Sequence, residues 1–159
     1  MKKFELTAES KINIFGKKLF RIKALISFGS VKEGETGGWV EKEENLNQSG
    51  NAWVSGNAEV YGDARVYGDA RVYGDAWVYG NARVSGDADY TTIHGFGTQF
   101  RTTTFFKCKD KQVKVSCGCF FGTIPEFREQ VKNTREGKIA EEYLMIADLM
   151  EKHFAKEAK

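Results

Sequence analysis

GDARVYGDARVYGDAWVYG, residues 62–80, is a six-residue unit written three times. A fixed period decides architecture before any single residue does. The period runs on in both directions. Gly recurs at Gly50, Gly56, Gly62, Gly68, Gly74, Gly80 and Gly86, Ala from Ala52 to Ala88, and Val from Val54 to Val84. Within a unit, Ala-x-Val alternates in the manner of a strand, with Ala and Val on one face. The Gly-Asp and Gly-Asn pairs between units are turn chemistry, because Gly accepts positive φ and Asp or Asn bonds nearby backbone. A short strand and a sharp turn every six residues predict a parallel β-helix. No helix has this period, and Gly would break one. Disorder is disfavoured because the apolar residues recur in strict register.

Val66 with Ala70, and Val72 with Ala76, place a small residue four positions after an aliphatic one. This resembles the left-handed β-helix of hexapeptide-repeat proteins. The resemblance implies three units per triangular coil, so residues eighteen apart stack: Val54 over Val72, Val60 over Val78, Val66 over Val84. The expected fold is mainly β, a short left-handed parallel β-helix of two to three coils at residues 50–89. An array this short needs caps. A β-hairpin cap is expected in 1–49 and an α+β cap in 90–159.

In KINIFGKKLFRIKALISF (11–28), Ile12 and Ile14 alternate, Gly16-Lys17-Lys18 is a turn, and Phe20, Ile22 and Ala24 alternate again. That reads as a hairpin. Val40 and Leu46 are read as an irregular first rung in the Ala register. RTTTFFKCKD (101–110) and KQVKVSCGCF (111–120) read as two strands. Thr123, Pro125 and Glu126 open a helix with a capping box. A longer amphipathic helix aligns Ile139, Tyr143, Ile146, Ala147, Met150 and Phe154.

GGWVEKEENLNQSGNAWVSGNA (37–58) is similar to a class of phage- and prophage-encoded hexapeptide-repeat proteins, as are KLFRIKAL (18–25) and VKVSCGCFFGTIPEFREQVK (113–132). The resemblance implies a phage origin and the cytoplasm of an infected bacterium. It implies no reaction.

Net charge is +2, with no basic stripe of the kind that grips a duplex, so nucleic acid is not the expected partner. No apolar run nears twenty residues, and MKKFELTAES lacks the apolar core of a signal peptide, so no membrane role is expected. Three cysteines fit a reducing compartment better than a disulfide framework.

Candidate chemistry is sparse. An acyltransferase of the hexapeptide type needs a His base, and the two histidines, His94 and His153, lie outside the coils. His94 after the last coil is the one candidate. A zinc anhydrase needs three His. Cys108, Cys117 and Cys119 with His94 would make a Cys₃His set, but buried structural thiols are preferred, and no metal or cofactor is expected. Arg101 with Thr102, Thr103 and Thr104 offers a guanidinium and three hydroxyls to a phosphate.

The outward positions sort by face. One carries Trp53, Ser55, Arg71, Tyr73 and Asp89, the next Glu59, Tyr61, Trp77 and Tyr79, and the third Arg65, Tyr67, Arg83 and Ser85. Such an aromatic face is seldom left bare. It is covered by the flanks, by a second copy in a dimer or trimer, or by a foreign partner held at Trp53, Tyr61, Arg71, Tyr73, Trp77 and Tyr79. The leading expectation is a non-enzymatic phage protein that inhibits a host protein, in anti-defence and even against CRISPR. The alternatives are an oligomer that sequesters a nucleotide signal through Arg101 and the Thr run, and an acyltransferase using His94.

Overall fold

A computed structural model of the protein describes residues 2–98 and 101–155. Strands of two residues mark the repeat: β4 Trp53–Val54, β5 Glu59–Val60, β6 Arg65–Val66, β7 Arg71–Val72, β8 Trp77–Val78 and β9 Arg83–Val84. They pair in parallel at a spacing of eighteen. Val54 lies beside Val72, Val60 beside Val78 and Val66 beside Val84. All six of these Val are fully buried, and Ala52, Ala58, Ala64, Ala70, Ala76 and Ala82 lie with them in one cluster. The corners bring backbone against backbone. At Gly50, with φ of +75°, an added Cβ would stand 2.8 Å from the Gly68 carbonyl oxygen. Glycine answers both demands, for positive φ and for space. Gly86 departs from the series with φ of −157°, and a 3-10 turn, Asp87–Asp89, follows it. The repeat in sequence thus outlasts the repeat in conformation by one corner.

The first rung corrects one expectation. Val40 and Leu46 occupy the Val register, not the Ala register. Val40 pairs with Val60 and Leu46 with Val66, each twenty residues away. Eight residues separate Leu46 from Val54 where six separate Val66 from Val72. The corner therefore carries two extra residues, and Gln48 accounts for them. Its Oε1 accepts from the main-chain N–H of Lys3 at 2.7 Å and of Phe4 at 3.2 Å, and its Nε2 donates to Phe4 O at 3.1 Å. The side chain pairs with the N-terminal strand as a piece of backbone would.

The hairpin forms, but earlier than its pattern predicts. β1 is Phe4–Ile12 and β2 is Lys18–Ala24, antiparallel. Ile12 and Ile14 are exposed, while Phe4 is fully buried. Asn13 turns the chain, its Oδ1 accepting from the N–H groups of Phe15 and Lys17. β3, Thr36–Val40, joins β2 to the repeat, giving a five-stranded sheet in the order β1-β2-β3-β5-β8.

After the repeat come β10 Tyr90–Phe96, β11 Arg101–Lys107, β12 Val113–Cys117 and β13 Phe120–Thr123, an antiparallel sheet in that order. The expected pair is β11 and β12; β10 and β13 are additional. α1, Ile124–Thr134, begins with the expected capping box, Thr123 and Glu126 bonding reciprocally. α2, Gly137–Phe154, buries Tyr143, Ile146, Ala147 and Met150. Arg128 ties the helices together, at 2.8 Å from Asp148 and 3.0 Å from Glu151. Strand alternation puts β11 between two cores. Phe106 belongs to the repeat's cluster, and Phe105 to the one under the helices. Among the described residues, no helix is long and apolar enough to cross a membrane.

Candidate functional site

The face of Tyr61 and Tyr79 is covered from within. The two rings stack at 4.7 Å between centroids with planes 6° apart. Phe15, at the hairpin tip, stands 5.6 Å from Tyr79, and Phe121, from β13, stands 4.6 Å from it. Both hydroxyls are buried and make no hydrogen bond among the described residues, although Tyr79 lies near Ser116. Burial, with the neighbouring Tyr79 and Glu59, pushes the Tyr61 phenol far above its usual range; burial also raises Tyr79. Trp53 is buried too, edge-on to Phe28 at 5.4 Å and to Phe4 at 6.5 Å. Of the six residues expected to anchor a partner, Trp53, Tyr61 and Tyr79 therefore pack inside the chain. Tyr73 is exposed, edge-on to Tyr90, while Arg71 is half-buried against Ser30 and Trp77 is half-buried.

The four residues of the proposed phosphate set part company. Alternation along β11 sends Thr103 to Cys117, its Oγ1 donating to Sγ at 3.2 Å. Thr104 turns the other way and accepts from the Trp77 N–H at 3.1 Å. It satisfies a donor on the last strand of the five-stranded sheet, which has no further strand to pair with. Both side chains are buried, so their hydroxyls serve the fold. Arg101 and Thr102 are half-buried and open to a cleft.

That cleft, of about 660 Å³, lies between the hairpin tip, the repeat and the C-terminal sheet. Lys11 and Ile14 line it from the hairpin, Asn57, Glu59, Asp75 and Trp77 from the repeat, and His94, Arg101, Thr102, Gly118 and Cys119 from the sheet. Three candidates read separately in the sequence thus meet here: Trp77, His94, and the pair Arg101 and Thr102. His94 sits on β10, not in a loop, and its Nδ1 is 3.0 Å from Thr102 Oγ1. Lys11 Nζ pairs with Glu59 Oε2 at 3.0 Å and lies 4.5 Å from the Trp39 ring. Asn13 adds a weaker bond to Glu59 at 3.4 Å.

Arg101 is positioned by a missing side chain. Its guanidinium lies on Gly118, where an added Cβ would fall 1.6 Å from Nη1. With φ of +58°, Gly118 also sits where other residues are strained. Lys11, Glu59 and Gly118 carried no sequence signal toward a site. Each contributes only through contacts made across long stretches of chain.

Among the described residues, no three His, Cys, Asp or Glu side chains converge as a metal site. Cys108 is buried, which pushes its thiol up to about 11, Cys117 is half-buried and Cys119 is exposed. His153 lies in the last turn of α2 beside Phe154.

A family model described as the YdcK beta solenoid repeat matches residues 58–74, 64–80 and 76–88. No curated protein matches the chain. The match falls on the segment whose strands stack in parallel, and the flanks that build the cleft lie outside it. Residues 58–88 are thus identified as β-solenoid repeats.

Proposed function

We propose that this chain is a non-catalytic binding protein that holds its target rather than transforming it, and that the target is a small anionic molecule seated in the cleft. The observation that carries this reading is the convergence of Trp77, His94, Arg101 and Thr102 on one open site. Ala and Val fill the interior of the repeat, so a ligand has only outer surfaces to use. In this proposal the solenoid is left-handed, with two to three coils capped by residues 1–49 and 90–159. The protein is phage-encoded and works in the cytoplasm of its bacterial host.

Inhibition of a host protein, in anti-defence and including CRISPR, is the second reading. Tyr73, 62% exposed beside the half-buried Arg71, favours it. Association into a dimer or trimer belongs to either reading. Its contact would use the Tyr73 face, since Phe15 and Phe121 already occupy the Tyr61 and Tyr79 face.

A tagged chain recovered from host lysate, with proteins and extracted small molecules identified by mass spectrometry, separates the readings. An anionic molecule lost on Arg101→Ala supports the first. A stoichiometric protein without a small molecule transfers the function to the second. Turnover of an acyl-coenzyme A that depends on His94 would overturn both.

A further inference from the structure

Resting on the capture reading, we infer that the cleft takes a mononucleotide, with the base against Trp77 and the phosphate at Arg101, Thr102 and His94. The chemistry of the cleft is divided by the elements that build it. The C-terminal sheet supplies its anion-binding side. Arg101 carries a planar fork suited to phosphate oxygens, and Gly118 leaves room for its Nη1 arm against the β12–β13 turn. His94 and Thr102, 3.0 Å apart, add a ring and a hydroxyl on neighbouring strands. An imidazole ring nitrogen and a hydroxyl can each donate a hydrogen bond. With one ring nitrogen held by Thr102, the other side of the His94 ring faces the ligand, and the Thr102 hydroxyl reaches a phosphate oxygen.

The repeat supplies the aromatic lining. Trp77 is half-buried, and Phe15 supports it edge-on at 6.3 Å, which holds the indole in place. A π-face of this kind takes any base without reading its edge. Asp75, an exposed carboxylate on the same wall, accepts from ribose hydroxyls or an exocyclic amine. Its charge also disfavours a chain of phosphates reaching across the cleft, as does Glu59, whose charge Lys11 partly offsets. A single phosphate joined to an aromatic base therefore fits this lining better than a triphosphate or a polynucleotide. The volume of about 660 Å³ lies within the range of small-molecule pockets.

The test is calorimetry on the full chain with the four 5′-mononucleotides, the matching nucleosides, a nucleoside triphosphate and inorganic phosphate. The mononucleotides should bind, with nucleosides and phosphate each at least tenfold weaker and little preference among bases. Arg101→Ala should weaken mononucleotides tenfold or more. Trp77→Ala should weaken them similarly while leaving phosphate binding unchanged, a split that general loss of structure would not produce. Thermal melting checks that each variant folds, and Trp77→Leu and Arg101→Lys serve where the alanine variants do not. Equal affinity for phosphate and mononucleotides would overturn the inference, as would mononucleotide binding indifferent to both positions. A chain that binds no nucleotide yet carries another anion from lysate sinks the nucleotide and spares the capture reading. A chain that binds no nucleotide or phosphate and carries no small molecule sinks both.

Discussion

Tyr61, Tyr67, Tyr73 and Tyr79 hold the same position in four successive units, each following a buried Val, yet their fates differ. Tyr61 and Tyr79 are 3% and 9% exposed, Tyr67 and Tyr73 are 37% and 62% exposed. The repeat treats all four alike. What separates them is a period of eighteen that puts the first and last on one face, and two flanks that meet over that face. A solenoid copies a side chain into several environments, and its flanks then decide which copy becomes core and which stays at the surface.

Truncation should break the equivalence most sharply. Tyr79→Ala removes a ring held between Tyr61, Phe15, Phe106 and Phe121, and should cost about 3–5 kcal/mol, as large aromatic truncations in cores do. Tyr73→Ala should stay within about 0.5 kcal/mol, as exposed substitutions do. Urea unfolding of the two variants measures the contrast. Equal losses would mean that the flanks do not cover the Tyr79 face in solution.

The flank's grip on the repeat has a polar test as well. Thr104→Val keeps the shape of the side chain but leaves the Trp77 N–H without its acceptor. An unsatisfied buried donor costs about 1–3 kcal/mol. Hydrogen exchange should speed selectively at Trp77, and unchanged protection there would show that water serves the donor equally well.

The opposite sign is expected at the tyrosine hydroxyls. Tyr61 and Tyr79 bury O–H groups with no partner among the described residues. Tyr61→Phe keeps the stack and removes the unpaired group, so stability should hold or rise by about 1 kcal/mol. Tyr67→Phe, at an exposed copy, should change nothing measurable. A clear loss on Tyr61→Phe would reveal a water or partner bonded to that hydroxyl.

These contrasts mark where the sequence stops being legible. Period and residue type were sufficient for the interior of the repeat, because each of its Val stacks on a copy eighteen residues away. The same reasoning misplaced Val40 and Leu46, because Gln48 pairs with Lys3 and Phe4 more than forty residues back. β10 and β13 escaped notice because their pairing with β11 and β12 depends on neighbours, not on a pattern of their own. Trp77, His94, Arg101 and Thr102 were each visible as chemistry. That they share one cleft follows from the hairpin tip and the C-terminal sheet closing on the same face, which no local pattern encodes.

The gentlest probe of the comparison is pH, because a buried lysine and the buried tyrosines act with opposite sign. Lys3 is buried, its Nζ donating to Ala52 O at 2.7 Å and Gly50 O at 3.3 Å. Desolvation lowers its pKa from the usual 10.5 to about 8. Above about pH 8 the folded chain releases that proton while the unfolded chain keeps it, so stability rises with pH. Tyr61 and Tyr79 are raised by burial. Above about pH 10 the unfolded chain loses phenolic protons that the folded chain retains, so stability then falls. The urea midpoint should climb from about pH 8 and turn over above about pH 9, where the buried Cys108 thiol, raised to about 11, begins to act in the same direction as the tyrosines. Lys3→Met should flatten the climb, and Tyr61→Phe with Tyr79→Phe should reduce the fall, whereas Tyr73→Phe should leave the profile as it is. Cys108 and Tyr143, also raised by burial, leave a smaller fall in the double variant. A fall left unchanged by the double substitution would mean that the covered face is no more buried in solution than the open one, and the distinction between the four tyrosines would collapse.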